Sequence, residues 1–276
     1  MSERTITPRH TTPGPRPSGS GGRLSPATRK LLSVLASVVL AILISVAYLL
    51  IDEWLASDDQ PHEPDSIAVA DDLLELVDTL TVRKEAPMDG YNRDAFRHWD
   101  LNRPEHGFGA EYEHYSRCTS RDVMLLRDAV GPVTLDPQSC TFTIGADGGW
   151  RDEYGFIDRK TGELRPYKWM TAPSDVDAEH IVALAEAWRS WAARFDDDTR
   201  RRIANDALNL AASDPSANRS KGDLDAGNYL PPGTFRCTYV DRYLRVKVKY
   251  GLTVDTAEHS ALRTAAEDCI TRGGTG

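Results

Sequence analysis

The sequence predicts an α+β, helix-rich domain with a small hairpin, preceded by a disordered tail and one transmembrane helix. Three observations support this class. A polar segment rich in Pro and Gly opens the chain, an uncharged apolar run follows it, and helical apolar spacing then alternates with turn-rich stretches. The 276 residues allow one ordinary domain besides such non-globular segments.

Residues 1–30 are rich in Pro, Gly, Ser and Thr, with scattered Arg. Such a segment buries too little apolar surface to offset the entropy lost on ordering, so we expect a disordered tail. The net charge of the chain is −9, and because the tail is basic, the remainder is more acidic than the whole. An acidic body attracts a polyanion poorly, so a nucleic-acid site would have to rely on local groups and a bound cation.

Residues 31–51 read LLSVLASVVLAILISVAYLLI, without one charge. As a helix they would span roughly 30 Å, the thickness of a bilayer core. Basic residues precede the run and acidic residues follow it, which predicts a cytoplasmic N-terminus and an extracellular body. Two alternatives are a buried core helix and a signal peptide cleaved near Ser45-Val46-Ala47. The run is longer than the apolar region of most signal peptides, which favours an uncleaved anchor.

Residues 52–90 are predicted to be a linker or stalk, and residues 91–276 the globular domain, beginning near Tyr91. One helix of the linker, a stalk or an edge of the domain, is predicted from apolar residues at helical spacing: Val69, Leu73, Leu76, Val77 and Leu80.

Four helices are predicted in the second half of the domain. The first carries an apolar stripe of Leu184, Trp188, Trp191 and Phe195, and a short second one starts after Asp198 and runs through Ile203. The third follows Pro231 and Pro232, carries Phe235, Tyr239, Tyr243 and Val246, and ends at Gly251. The last starts at a capping-box-like pair, Asp255 and Glu258.

The four cysteines all follow the apolar run, so they would face an oxidising compartment and could pair. Four cysteines allow three connectivities, of which we favour local pairing: Cys118–Cys140 and Cys237–Cys269. Four reduced cysteines would require a cytosolic body, whereas the charge asymmetry around the apolar run predicts an extracellular one. No CxxC pair occurs, so zinc binding is not expected.

The residues that could carry chemistry lie between Asp175 and Asp223, in the stretches DVDAEHIVALAEAW, RRIANDALNL and PSANRSKGD. Asp177, Glu179 and His180 meet at a predicted strand end. A carboxylate can hold a hard cation there while the imidazole takes a proton from water. Asn209 and Asn218 offer neutral oxygens downstream, and the cations that follow Asn218 could balance the charge of a phosphate.

Taken together, these stretches resemble the secreted HNH endonucleases, which are related to the nuclease part of modification-dependent restriction enzymes. In that family an acidic residue and a histidine open a ββα-metal motif, an asparagine follows, and an asparagine-x-x-lysine-glycine element closes it. The likeness extends over roughly Tyr91 to Cys269, through YNRDAFRHW, CTSRDVMLLRD, GGWRDEYG, YLPPGTFRCTY and VKVKYGLTVD.

The resemblance implies a role for each matching residue. Glu179 and Asn218 would hold the metal, His180 would be the general base, and Asn209 would orient the histidine or the metal loop. Lys221 would contact phosphate, while Asp177 and Asn205 lie in the shared stretches as possible support. Trp188 and Arg121 are expected to be structural.

Three positions depart from the family pattern. Glu179 stands where Asp is commoner, Ala183 where many HNH motifs have proline, and Trp191 where the secreted family often has glycine. None of these departures removes a catalytic group.

The predicted activity is hydrolysis of DNA or RNA outside the membrane with Mg²⁺, or Mn²⁺, because the implied ligands are oxygens without a ligating cysteine. Nucleic acid would be the substrate, and the membrane would hold the chain through one helix. A degenerate HNH fold kept as a cell-surface binding module is the main alternative. A wall-degrading hydrolase is a third.

Overall fold

The computed structural model describes residues 72–273, with side chains up to Thr271, together with Pro26, Ala27 and Val39. Apart from these three residues, the predicted tail at 1–30, the apolar run at 31–51 and the first part of the linker, residues 52–71, lie outside the described residues. Within the described part, no helix is both long enough and apolar enough to cross a bilayer. The chain divides into two units, Met1–Glu63 and Pro64–Gly276, and the fold below is that of the second.

The second unit combines helices with small antiparallel sheets, which confirms the α+β class. Its first half holds α1 (Leu73–Thr79), α2 (Ser120–Arg127), β1 (Ala129–Val130), β2 (Val133–Leu135), β3 (Phe142–Ile144), β4 (Gly149–Asp152), β5 (Phe156–Ile157), β6 (Leu164–Arg165) and β7 (Lys168–Met170). Its second half holds β8 (Asp177–His180), α3 (Leu184–Arg189), α4 (Asp197–Asn205), β9 (Leu210–Ser213), α5 (Pro215–Lys221), α6 (Arg236–Tyr250) and α7 (Thr256–Gly273).

The strands form four separate antiparallel sheets in the described residues. One has three strands in the order β1-β4-β7, and the others are the pairs β2–β3, β5–β6 and β8–β9. The β8–β9 pair sets Glu179 opposite Ala211 and His180 opposite Leu210. Helix α5 follows β9 directly, while α3 and α4 lie in the long connection between the two strands.

Helix α1 packs into the core, which agrees with an edge of the domain rather than a stalk, the two alternatives that the sequence left open. Leu73 and Val77 are buried in the larger apolar cluster, together with Tyr243 and Leu262 from α6 and α7. The i and i+4 spacing of Leu73 and Val77 places both side chains on one face, and that face packs against the last two helices.

The stripe that begins at Leu184 does not continue as one helix. Helix α3 ends at Arg189, and Trp191 adopts φ of 78°, the left-handed region. The indole is half-buried and lies under the guanidinium of Arg83, 3.4 Å from its carbon, with Arg194 at 4.1 Å. The prediction was wrong here because apolar spacing continues beyond the point where the backbone turns.

The last two helices agree with the sequence. Gly251 ends α6 in a left-handed conformation, as expected for a glycine cap. Asp255 accepts a hydrogen bond from the backbone nitrogen of Glu258 at 2.8 Å. The Glu258 carboxylate instead turns inward and accepts from the Tyr243 hydroxyl at 2.5 Å, so only half of the capping box forms.

Both predicted disulfides are present, Cys118–Cys140 and Cys237–Cys269. The first ties the start of α2 to the turn before β3, and the second joins α6 to α7. Loops of this length predict that each bridge contributes about 3–4 kcal/mol to the free energy of unfolding.

Candidate functional site

Glu179, His180 and Asn218 line one small cavity of about 90 Å³. Strand β8 ends at His180, and the chain turns there toward α3, so two successive residues can reach the same space. Asn218 enters from α5, the helix that follows the partner strand. The full lining is Arg93, Ala178, Glu179, His180, Ala183, Leu184, Asn218, Lys221 and Gly222.

The ring of His180 is fixed on one edge and covered on one face. Its Nε2 lies 2.9 Å from the carbonyl oxygen of Ala204. A carbonyl only accepts, so Nε2 carries the hydrogen and Nδ1 keeps its lone pair. Trp99 stacks parallel to the ring at a centroid distance of 5.4 Å, and His98 contacts it edge-on at 5.9 Å.

Burial lowers the pKa of His180 to about 3, and the charges of Arg93 and Lys221 also lower it. Burial disfavours the cationic imidazolium, which explains the direction of the shift. The ring is therefore neutral at neutral pH. Nδ1 therefore keeps a free lone pair, but a ring with a pKa of about 3 is a weak base, so a role as proton acceptor requires that a bound phosphate anion raise this pKa.

Asn209 lies outside the cavity and holds the chain around it. It is fully buried, and its Oδ1 accepts from the backbone nitrogen of Val182 at 2.8 Å. Its amide nitrogen donates to the carbonyl of Ile203 at 3.0 Å. The side chain thus joins the segment after His180 to the end of α4, next to the carbonyl that binds the His180 ring.

Asn205 fixes the segment that carries His98 and Trp99. Its Oδ1 accepts from the backbone nitrogen of Asp100 and from the Ser120 hydroxyl, at 2.8 and 2.7 Å. Its amide nitrogen donates to the carbonyls of Arg97 and Arg201, both at 2.8 Å. All of its polar atoms are engaged, so it positions the wall of the cavity without facing it.

Lys221 is not at the surface, where a phosphate contact would require it. Its side chain is 0% exposed, and Nζ lies 2.5 Å from Oε1 of Glu179. The ammonium also donates to the carbonyl of His180 at 2.9 Å. Lys221 is the last residue of α5, and its ammonium contacts two residues of β8, Glu179 and His180.

Burial raises the pKa of Glu179, although the Lys221 ammonium opposes this shift. Asn218 donates from Nδ2 to the carboxylate of Asp177 at 3.1 Å, which leaves its Oδ1 as the remaining acceptor of that amide. The donor set is therefore one buried carboxylate and one amide oxygen, with Asp177 as a neighbour. These are oxygen ligands of the kind that Mg²⁺ and Mn²⁺ prefer, but the Lys221 ammonium lies against the carboxylate and would have to move for such a cation to bind.

Sequence reasoning assigned no role to Arg93, His98 or Trp99, although all three contribute to the cavity or to its walls. They lie far upstream of His180 in the chain. The available signal was the stretch YNRDAFRHW, which carries all three and takes part in the resemblance. Arg121 is structural, as expected: its guanidinium donates to the carbonyl of Val176, just before β8, at 2.9 Å.

A buried carboxylate, a neutral histidine and an amide thus meet in one cavity of a mixed α+β body. Residues 149–265 match the family described as GmrSD restriction endonucleases, C-terminal domain. An uncharacterized secreted protein of Arthroderma benhamiae is 35% identical over 218 residues, which cover 78% of this chain and 93% of that protein. No solved structure matches the chain.

The chain belongs to this HNH-type family, related to restriction endonucleases. Every residue that lines the cavity, except Arg93, falls inside the matched residues.

Proposed function

We propose that the protein is a metal-dependent endonuclease that hydrolyses phosphodiester bonds of DNA or RNA. The observation that carries the proposal is the cavity shared by Glu179, His180 and Asn218. The two strands that pair beside it and the helix that follows correspond to the order of a ββα-metal motif. Membership of a restriction-endonuclease family supports the same class of reaction.

In the proposed mechanism, Nδ1 of His180 takes the proton of the attacking water while Nε2–H remains bonded to Ala204. Glu179 and Asn218 would hold Mg²⁺ or Mn²⁺, which would stabilise the leaving oxygen when bound. Asn209 and Asn205 are positioning residues: their side chains bind the backbone on either side of the His180 ring and do not contact the substrate. Trp99 excludes water from one face of that ring.

The ion pair between Glu179 and Lys221 favours a second candidate, a binding module that has lost its chemistry. The ammonium already balances the charge of the one buried carboxylate in the cavity. A net charge of −9 also makes the chain a poor partner for a polyanion unless a cation is bound.

A cleavage assay separates the two candidates. The full-length protein, wild type or His180→Ala, is incubated with supercoiled plasmid and with labelled RNA, in Mg²⁺, in Mn²⁺ and in chelator. The nuclease proposal expects metal-dependent cleavage by the wild type and none above background by the variant. Absence of cleavage under every condition would favour the binding module.

We further propose that the nuclease domain begins by residue 72 and lies outside the cell, with residues 31–51 as its anchor. Two disulfides fit an oxidising compartment. Protease added to intact cells should then degrade the domain. Protection until the cells are lysed would contradict the location, and a soluble form starting near Tyr48 would indicate signal cleavage instead.

A further inference from the structure

A phosphodiester in the cavity would need a positively charged group beside its non-bridging oxygens. Lys221 cannot be that group because its ammonium is buried in an ion pair with Glu179. Arg93 lines the same cavity and is exposed. Among residues 72–271, no carboxylate lies within ion-pair distance of its guanidinium. Its charge lowers the pKa of both Glu179 and His180, which agrees with a position beside them.

The backbone of Arg93 is held in place although its side chain is exposed. Arg93 begins a short 3₁₀ turn whose preceding residue, Asn92, accepts a hydrogen bond from the backbone nitrogen of Asp94 at 3.0 Å. Phe96, directly after the turn, is fully buried and contacts Trp188 edge-on at 6.4 Å. The turn is thus capped locally by Asn92 and anchored to the core at its end by Phe96.

We propose that Arg93 is the residue that binds the scissile phosphate, an inference that rests on the proposed nuclease function. A guanidinium is planar and always charged, and its paired N–H groups match two phosphate oxygens. In the hydrolysis, the water oxygen forms a bond to phosphorus while His180 takes the proton of the water. The leaving oxygen departs with the bonding electron pair and takes a proton from solvent. Arg93 transfers no proton and stabilises the negative charge on the phosphoryl oxygens.

Two other arginines do not fit this role. Arg97 is exposed on the same segment but does not line the cavity. Arg219 is exposed on α5, and its guanidinium lies near the Ser216 hydroxyl, away from the lining. Arg97 therefore provides a matched control, since it shares the charge, the exposure and the segment of Arg93.

The test compares full-length wild type, Arg93→Ala, Arg93→Gln and Arg97→Ala on a labelled DNA oligonucleotide with one cleaved linkage. We expect kcat/KM to fall about 10²–10³-fold for both Arg93 variants, as when one charge-stabilising group is removed. Arg97→Ala should stay within about threefold of the wild type, as for a surface change away from the site. Wild-type activity in the Arg93 variants, with an inactive His180→Ala, would overturn the proposal and leave the nuclease function intact.

A neutral linkage separates phosphate binding from a structural effect. In a second oligonucleotide, a methylphosphonate replaces the cleaved phosphodiester and removes the charge that Arg93 would bind. On this substrate, the loss of kcat/KM caused by the Arg93 substitutions should largely disappear. An equal penalty on both linkages would mean that Arg93 only supports the fold, which would overturn the proposal.

A binding measurement distinguishes this proposal from the nuclease proposal itself. If the wild type cleaves nothing, the proposed function fails, but Arg93 is still tested with thymidylyl-thymidine as a phosphodiester probe. NMR chemical-shift changes would report its binding. Weaker binding by Arg93→Gln than by Arg97→Ala supports the phosphate site, and equal binding overturns it.

Discussion

The ammonium of Lys221 lies 2.5 Å from Oε1 of Glu179, and both side chains are almost completely shielded from solvent. This pair sets a buried positive charge at the position where a divalent cation would approach the same carboxylate. It also explains why the exposed Arg93, rather than Lys221, is available to a phosphate.

Removing Lys221 should destabilise the fold strongly. Lys221→Met leaves the Glu179 carboxylate buried without its partner, which predicts a loss of about 3–5 kcal/mol in the free energy of unfolding. Urea denaturation measures this loss. Arg219→Met, an exposed neighbour on α5, is the control and should change stability by less than about 0.5 kcal/mol. A Lys221→Met variant as stable as the control would show that the pair is not buried in solution.

The left-handed backbone at Trp191 predicts that glycine at this position gives a more stable protein than alanine does. Trp191→Gly and Trp191→Ala both lose the stacking on Arg83 and Arg194. Only alanine retains a Cβ at φ of 78°, so the glycine variant should be more stable by about 1–2 kcal/mol. Thermal and urea unfolding of the two variants measure the difference. A more stable alanine variant would contradict the left-handed conformation.

The proposed ligands predict where a divalent cation binds. Glu179→Gln and Asn218→Ala should weaken Mn²⁺ binding by at least about tenfold, measured by calorimetry or electron paramagnetic resonance. Asn218→Ala is the cleaner variant because it leaves the ion pair of Glu179 intact.

A second group of carboxylates in the described residues supplies the control for this titration. Oxygens of Glu85, Asp225 and Asp255 lie within 4.8 Å of one another. Glu85→Gln should leave the Mn²⁺ affinity of the proposed Glu179 and Asn218 site unchanged. If Glu85→Gln removes the measured Mn²⁺ binding while Glu179→Gln and Asn218→Ala retain it, the metal assignment is wrong.

The buried, neutral ring of His180 predicts acid sensitivity. An unfolded chain takes up a proton on this residue near pH 6.5, whereas the folded chain takes it up only near pH 3. Between these values the unfolded state binds more protons, so the free energy of unfolding falls as the pH falls. His180→Gln should therefore lose less stability than the wild type between pH 7 and pH 4.

The exposed His114 is the matched control for this pH dependence. His114→Gln should follow the wild-type profile in urea denaturation at each pH. If His180→Gln also follows the wild-type profile, the His180 ring is not buried as a neutral group.

The sequence predicted the α+β class, the two bridges and the last two helices, because local patterns determine them. Glu179 and His180 were placed at the end of a strand by their neighbours in the chain. Only the family resemblance predicted that Asn218 shares a site with these two residues, since no periodicity links residues so far apart in the chain.

The errors arise where a side chain's direction or a tertiary contact decides the outcome. Spacing does not reveal that the last turn of α5 directs Lys221 inward, or that α1 packs on the last two helices. Arg93 was missed because one arginine in a polar stretch resembles any solvated arginine. Its place in the cavity depends on the packing of Phe96 against Trp188.

We propose that His180 takes the proton of the attacking water while Asn218 and Glu179 hold the metal. The most direct test measures plasmid nicking and Mn²⁺ affinity on the same preparations of wild type and His180→Ala. We expect the nicking rate to fall about 10²–10⁴-fold, as for loss of a general base, while the Mn²⁺ affinity remains unchanged. A His180→Ala protein that nicks DNA at the wild-type rate would contradict this account.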